Sequence, residues 1–218
     1  MKHLERRQQL IATAIELNTS GINQGTSGNV SVRVDEGLLI TPSGMTYPSL
    51  TPEDIVLMDL EGQTSTPRST RLHSSECPFH VDIYQPRNDV QAIVHTHSVY
   101  ATALACLEKS IPAFHYMVAM AGGKDIRCAP YATYGTQTLS DLALVALKDR
   151  KACLLAHHGV IATGADLARA FALASEVETL AQQYIAALSV GEPTILSDKE
   201  MEIVVEKFAN YGLNVSQS

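Results

Sequence analysis

Near the middle of the chain an apolar run ends in two closely spaced histidines, in the order Ala92-Ile93-Val94-His95-Thr96-His97. The apolar residues predict a buried β-strand. Successive side chains of a strand point to opposite faces, so His95 and His97 share one face and their imidazoles project side by side. Imidazole is the commonest metal ligand in proteins. By itself the pair is compatible with metal binding or with two strand-end histidines that hydrogen-bond to the backbone.

A second apolar run, residues 152–156, is followed by His157-His158-Gly159. Catalytic zinc is typically held by three protein ligands, with one position left open for water or substrate. This second run is the obvious source of a third ligand for the pair. Three neutral imidazoles would leave a metal ion strongly electrophilic and able to polarise a carbonyl group.

The composition is that of an ordinary globular protein. The chain has 218 residues, of which 45% are hydrophobic and 18% charged, which argues against extensive disorder. We expect one domain over residues 1–218. The net charge of -7, with no basic cluster beyond Arg6-Arg7, disfavours nucleic acid as a partner.

The sequence also bears on compartment. No run approaches the roughly 18 apolar residues of a membrane span, and the N-terminus lacks a signal-peptide core. We therefore expect a cytoplasmic protein without a membrane partner. The four cysteines have no CxxC spacing, which favours buried free thiols over a disulfide framework or a thiolate metal site.

Predicted helices and strands alternate along the chain, which indicates an α/β or α+β class with helices covering a sheet. The predicted strands cover residues 30–34, 38–41, 55–58, 90–97, 152–156 and 160–162. The predicted helices cover residues 4–19, 98–107, 139–147, 166–188 and 198–209, with one more beginning at residues 74–76 and a helix start at residues 51–52. Residues 111–135 have no clear period. A seam of small residues along 167–188 favours packing on the protein's own sheet.

Glu76 is the best candidate for a carboxylate near the metal. It stands at a predicted helix start, where free backbone N–H groups and the helix dipole favour anions. In the other interpretation Ser75 is the N-cap and Glu76 only complements the dipole, and the local pattern alone favours this one because such caps are common.

Small-residue loops could bind a phosphate. If residues 30–41 form a hairpin, the loop at residues 25–29 and the turn at residues 42–44 lie at the same open end. Together with Ser74 and Ser75 they offer backbone N–H groups, hydroxyls and an amide, although each loop alone is also compatible with a plain turn.

Five ordered motifs resemble the class II aldolase/adducin family. They lie at residues 23–31, 40–44, 74–76, 94–97 and 157–159, and the similarity extends through residues 111–116 and 130–135. The resemblance implies an α/β fold: a three-layer α/β/α sandwich whose central, largely antiparallel sheet is covered by helices.

The resemblance also implies a metal site. One Zn²⁺ per subunit would be held by His95, His97 and His158, with Mn²⁺ or Co²⁺ as alternatives. Glu76 would act as acid and base beside the metal, and His157 would lie next to the ligands.

Further family positions align with the substrate and the subunit contacts. The positions that align with phosphate-binding residues are Thr26, Asn29, Ser43, Gly44, Ser74 and Ser75. Tyr116 and Tyr211 align with tyrosines that reach the active site of an adjacent subunit in a fourfold homotetramer. Tyr116 would donate a proton to the aldehyde oxygen.

The implied activity is reversible cleavage of a ketose 1-phosphate to dihydroxyacetone phosphate and an aldehyde. Candidate substrates resemble L-fuculose 1-phosphate or a 5-deoxypentulose or 5-methylthiopentulose 1-phosphate. The chain departs from the usual family pattern at His73, Cys77 and Tyr134, which leaves the aldehyde half open.

Three alternatives remain at this point. A pentulose-phosphate 4-epimerase of the same family usually has aspartate where Glu76 stands. A sugar-phosphate dehydratase shares the metal ligands and differs in product. A non-enzymatic adducin-like module would be expected to lack the ligands.

Overall fold

The computed structural model describes residues 1–64 and 74–209. Helices and strands alternate in it, as the sequence predicts. The strands are β1 Asn29–Val34, β2 Gly37–Ile40, β3 Val56–Met58, β4 Ala92–Thr96, β5 Arg127–Ala129, β6 Ala152–Leu155 and β7 Gly159–Gly164. The helices are α1 Leu4–Thr19, α2 Cys77–Tyr84, α3 Val99–Cys106, α4 Gln137–Ala146, α5 Leu167–Val190 and α6 Asp198–Ala209.

The described strands form one seven-stranded sheet in the order β3-β2-β1-β4-β7-β6-β5. Neighbouring strands are antiparallel except for the parallel pair of β5 and β6. The strand with the two-histidine motif, β4, lies at the centre between β1 and β7. The prediction of a largely antiparallel sheet is therefore confirmed.

Helices cover the sheet on both faces, which completes the predicted three layers. One core cluster unites α1, α3, α5 and part of α6 with side chains such as Ala92 and Val94 of β4. The other unites α2 and α4 with Ile93 of the same strand. His95 is two residues from Ile93 and so shares its face. On that face the ring of Phe79 in α2 contacts the ring of His95, and the two ring centroids are 5.4 Å apart.

Helix α5 is the longest described helix. The carboxylate of Asp166 accepts a hydrogen bond of 2.7 Å from the backbone N–H of Arg169, which is the predicted N-cap. The buried side of α5, which includes Ala170, Ala174 and Val177, packs on β7, β4 and α3. The predicted seam of small residues therefore faces the protein's own sheet.

Two local predictions are wrong, and one interpretation left open by the sequence is not borne out. Residues 51–54 form turns rather than a helix start, since a short loop leads directly into β3. The segment 111–135, predicted to be irregular, contains a 3₁₀ helix at Tyr116–Ala121 and the strand β5, which is only three residues long. Ser75 is not the N-cap of α2, because Glu76 occupies that position. Within the described residues, no helix combines the length and the apolar character needed to cross a membrane.

Candidate metal centre and active site

His95 and His97 project together at the end of β4. His95 is fully buried, and its Nε2 lies 3.0 Å from Nε2 of His97. The other ring nitrogen of His95, Nδ1, lies 2.8 Å from the carbonyl oxygen of Val160 in β7. A carbonyl only accepts, so Nδ1 carries a hydrogen, and Nε2 is the nitrogen that the neutral ring would offer to a metal ion. This is the arrangement that a metal ligand needs.

The tight turn between β6 and β7 brings His158 to the same place. His157 in this turn adopts the left-handed conformation, with φ of 54°, and Gly159 begins β7. A Cβ atom at Gly159 would come within 2.3 Å of the Thr96 carbonyl oxygen, so only glycine fits there. The ring centroids of His95, His97 and His158 are then 4.8 to 5.0 Å apart.

Glu76 completes the cluster. Its side chain makes no capping hydrogen bond to α2 and is directed instead at the histidines. Oε1 lies 2.7 Å from Nε2 of His158, and Oε2 lies 3.2 Å from Nε2 of His95. One ligand atom from each of the four residues lies within 4.8 Å of the others. Of the two interpretations open for Glu76, the structure bears out the carboxylate beside the histidines.

The donor set fits a divalent metal ion. Three imidazole nitrogens and a carboxylate converge at one point, and imidazole suits zinc and other late first-row metals. The Nε2 atoms of His95 and His97 stand 3.0 Å apart, so one cation could contact both of them.

Charge and burial set the protonation states of Glu76 and the histidines. Burial lowers the pKa of His95, but the charge and hydrogen bond of Glu76 and the bond to the Val160 carbonyl outweigh burial and raise that pKa. Burial alone would raise the pKa of Glu76, but the charges and hydrogen bonds of His95 and His158 outweigh it and hold that pKa well below its usual range. Burial, reinforced by His95 and His158, lowers the pKa of His97 to about 4. Near neutral pH, Glu76 is therefore a carboxylate and His97 is a neutral imidazole.

A cavity of about 320 Å³ opens beside this cluster. All six residues that were aligned with phosphate binding line it, together with Glu76, His97 and His158. Four of the six are exposed at its rim, namely Thr26, Ser43, Gly44 and Ser75. The predicted convergence of the two loops and the serine pair is therefore present in the structure, and phosphate binding at these residues stays a prediction.

Asn29 and Ser74 differ from the other four because they are buried. The side-chain amide of Asn29 donates to Oε2 of Glu76 at 2.8 Å and to the Ser74 hydroxyl at 3.2 Å. The backbone N–H of Glu76 also donates to the Ser74 hydroxyl, at 3.2 Å. These two residues thus hold Glu76 in place as well as lining the cavity.

Asn23 and Gly28 fix the loop on the opposite wall. The oxygen of the Asn23 side-chain amide accepts from the backbone N–H of His97 at 3.4 Å, and its nitrogen donates to the Ser27 carbonyl at 2.5 Å. Gly28 has φ of 73°, and a Cβ there would lie 2.5 Å from the carbonyl oxygen of His95. The loop consequently packs directly on β4, the strand that carries His95 and His97.

Of the two predicted tyrosines, only Tyr116 belongs to the described residues. Tyr116 begins the 3₁₀ helix, is 50% exposed and stacks on Phe208 of α6, with centroids 6.4 Å apart. It does not line the cavity of its own chain. Tyr211 lies outside the described residues.

The positions that depart from the family pattern have different environments. Tyr134 lines the cavity, beside Tyr131, Ala132 and His157. Cys77 is buried in the core under α2, where burial raises the pKa of its thiol to about 12. His73 lies outside the described residues. Tyr131 was not predicted as a site residue, since it falls in the segment without a clear period.

Comparisons with known proteins agree with this geometry. The model of the class II aldolase and adducin N-terminal domain matches residues 8–185. A 5-methylthioribulose-1-phosphate/5-deoxyribulose-1-phosphate aldolase from Rhodospirillum rubrum is 57% identical over 208 residues, which cover 95% of this chain and 93% of the relative. An L-fuculose phosphate aldolase from Escherichia coli is 49% identical over 218 residues, which cover 100% of both chains. A solved structure of an L-fuculose 1-phosphate aldolase superposes with a TM-score of 0.91 at 43% identity, and the match covers 96% of this chain and 97% of that one.

The family match, the aldolase relatives and the fold all coincide with the resemblance drawn from the five motifs. The predicted enzyme class, a class II aldolase, is confirmed by these relatives. The chain therefore belongs to the class II aldolase and adducin family.

Proposed function

We propose that the protein is a zinc-dependent aldolase that reversibly cleaves a ketose 1-phosphate into dihydroxyacetone phosphate and an aldehyde. The observation that carries the proposal is the convergence of His95, His97, His158 and Glu76 beside a cavity with a wall of small polar residues. One Zn²⁺ per chain would be held by the three histidines, and Mn²⁺ or Co²⁺ would suit the same ligands. Bound there, the metal supplies Lewis-acid stabilisation of the negative charge that develops on the substrate oxygens.

Residues of the chain would carry out the proton transfers of the reaction. Cleavage breaks the C3–C4 bond, removes the proton of the C4 hydroxyl and adds a proton at C3. Glu76, ionised beside the ligands, is placed to carry the C3 proton. Tyr116 of an adjacent subunit would exchange the proton on the aldehyde oxygen.

The phosphate group would lie at the polar wall of the cavity. Hydroxyls and backbone N–H groups of the rim residues Thr26, Ser43, Gly44 and Ser75 would bind it, next to the N-terminus of α2. The buried pair Asn29 and Ser74 would connect this wall to Glu76.

A homotetramer with active sites at its subunit interfaces is part of the proposal. Tyr116 is half exposed and does not line the cavity of its own chain. Its role in proton transfer would therefore need a neighbouring copy, and by the family resemblance Tyr211 would reach the same shared site. The proposed location is the cytoplasm, and the proposed unit is one domain over residues 1–218.

The substrate is proposed at the level of a ketose 1-phosphate. The two curated relatives described above are named as aldolases of methylthioribulose 1-phosphate and deoxyribulose 1-phosphate and of fuculose phosphate, respectively. These sugars share the phosphorylated end and differ in the aldehyde half. Tyr131 and Tyr134 line the cavity, so they are the side chains expected to discriminate among them.

Product analysis tests the proposal. The zinc-loaded protein is incubated with a panel of ketose 1-phosphates and with a pentulose 5-phosphate, and the products are identified by NMR. We expect dihydroxyacetone phosphate with one aldehyde from at least one ketose 1-phosphate. If the only product is epimerised pentulose 5-phosphate, the protein is a 4-epimerase rather than an aldolase. If the only product is a dehydrated sugar phosphate, it is a dehydratase.

A further inference from the structure

A buried line of polar side chains runs from Glu76 into the interior between α2 and β1. On α2, Glu76, His80 and Tyr84 recur every four residues, and on β1, Asn29 and Ser31 are two residues apart. Four helical residues rise about 6 Å and two strand residues about 6.7 Å, so successive side chains stay in register across the interface. All five are at most 7% exposed.

The five side chains form a continuous hydrogen-bonded chain. Asn29 donates to Glu76 at 2.8 Å, and the other amide atom of Asn29, Oδ1, lies 2.5 Å from Nε2 of His80. On the far side of the ring, Nδ1 of His80 lies 2.7 Å from the Ser31 hydroxyl. That hydroxyl lies 2.8 Å from the Tyr84 hydroxyl.

The carboxylate at one end determines the direction of every bond. An ionised carboxylate only accepts, so Asn29 must turn its NH₂ group to Glu76 and its oxygen to His80. His80 must then carry its hydrogen on Nε2, which leaves Nδ1 to accept from Ser31. Ser31 in turn accepts from Tyr84. Burial lowers the pKa of His80 to about 3, which keeps the ring neutral, as this order requires.

We propose that His80 is a positioning residue that orients Glu76 by holding the Asn29 side-chain amide in one orientation. A reversed amide would turn its oxygen towards the carboxylate and repel it. The Nε2–H donor of His80 excludes that orientation, because Asn29 Oδ1 accepts from it at 2.5 Å. Asn29 is also the register partner of His95 across β1 and β4, so one side chain links the carboxylate to the strand that carries the ligands.

The contribution to turnover rests on the proposed function, in which Glu76 transfers a proton. Residues that hydrogen-bond to a functional group at a metal site, without touching the metal, typically contribute about 10- to 100-fold to activity. Since His80 is buried and does not line the cavity, its loss should change kcat and leave KM nearly unchanged.

The first test compares two substitutions in the zinc-loaded enzyme. His80→Phe keeps a planar ring and removes both hydrogen-bonding atoms, and we expect kcat to fall about 10- to 100-fold with KM and zinc content unchanged. His80→Gln supplies a donor and an acceptor on one planar group and should recover at least half of that loss on a logarithmic scale. Wild-type kcat in His80→Phe, or a loss of zinc that accounts for the loss of activity, overturns the proposal.

A control separates positioning from general destabilisation. Ile83 lies on the same helix, is 1% exposed and belongs to the core cluster rather than to the polar chain. Ile83→Ala should lower the unfolding midpoint while kcat stays at the wild-type value. A loss of kcat in this variant equal to that of His80→Phe would show a structural effect of α2 and overturn the proposal.

A spectroscopic measurement tests His80 without using activity. Long-range ¹H–¹⁵N correlation on the zinc-loaded protein, with His80→Gln to assign the signal, should show the neutral Nε2–H tautomer. The Nδ1–H tautomer or an imidazolium overturns the proposal. If the protein turns over no ketose 1-phosphate, the proposed function fails, while the tautomer still decides the orientation of the amide.

Discussion

The Glu76 carboxylate is buried among three imidazole rings, and the proposed reaction needs it to carry a proton. Glu76→Gln keeps the size and shape of the side chain but cannot carry the proton. We expect kcat to fall about 10²- to 10⁴-fold, with the zinc content and the unfolding midpoint close to wild type. Turnover and bound zinc are measured on the same preparation.

Glu36 offers a matched control for this substitution. Its carboxylate pairs with Lys2 and His3 and lines a different cavity. Glu36→Gln should therefore leave turnover unchanged. Full activity in Glu76→Gln would remove Glu76 from the reaction.

His80 should make stability depend on pH in a definite direction. Its pKa falls from 6.5 to about 3 on folding, so between these values the unfolded state binds a proton that the folded state does not. The stabilisation is full above pH 6.5 and is lost as the pH falls towards 3, at up to about 1.4 kcal/mol per pH unit. Urea unfolding of the metal-free protein between pH 6 and 4 should therefore show a shallower dependence on pH in His80→Gln. Parallel curves for the two proteins would contradict this account.

The four residues of the candidate metal centre could be predicted from sequence, but the side chains that support them could not. His95 and His97 follow from strand periodicity. Local pattern makes Glu76 and the pair His157-His158 candidates, and the family resemblance selects Glu76 and His158. Whether Ser75 or Glu76 occupies the N-cap depends on where α2 begins, which local pattern does not fix. The contact of His80 with Asn29 joins residues 51 apart in sequence and exists only because α2 packs on β1.

The loop before β1 illustrates the scale of secondary-structure elements. Gly25 and Gly28 both have positive φ, but a Cβ at Gly25 would meet nothing within 4 Å, whereas one at Gly28 would meet His95 O at 2.5 Å. Gly25→Ala should cost only backbone strain, about 1 kcal/mol. Gly28→Ala should cost more and also weaken zinc binding, since it displaces the end of β4. Chemical unfolding and zinc titration compare the two variants, and equal effects would contradict the close approach of this loop to His95.

Strong local periodicity explains which elements sequence predicted well. The helix that became α5 and the hairpin of β1 and β2 both carry clear patterns. The three-residue strand β5 is too short to show one, and it exists because β6 pairs with it. The N-terminus of α3 likewise depends on a residue distant in sequence. The Glu178 carboxylate accepts hydrogen bonds of 2.9 Å from the backbone N–H groups of Tyr100 and Ala101.

At the scale of the whole molecule, the proposed tetramer predicts active sites shared between subunits, because Tyr116 does not line the cavity of its own chain. Tyr116→Phe and Glu76→Gln should each be impaired, but co-assembled subunits should form sites with Glu76 from one chain and Tyr116 from the next. Random mixing would restore about a quarter of wild-type activity. If both residues act within one chain, no mixed site is complete and activity does not rise. The measurement is turnover of the two variants refolded together, compared with each refolded alone.

Metal-dependent release of dihydroxyacetone phosphate tests the central claim most directly. A coupled assay follows that product from the ketose 1-phosphate panel with the protein as purified, after chelation and after zinc is returned. We predict release from at least one sugar, loss of release after chelation and recovery at about one zinc per chain. Undiminished release by protein shown to be metal-free, or no release from any ketose 1-phosphate, would contradict the account.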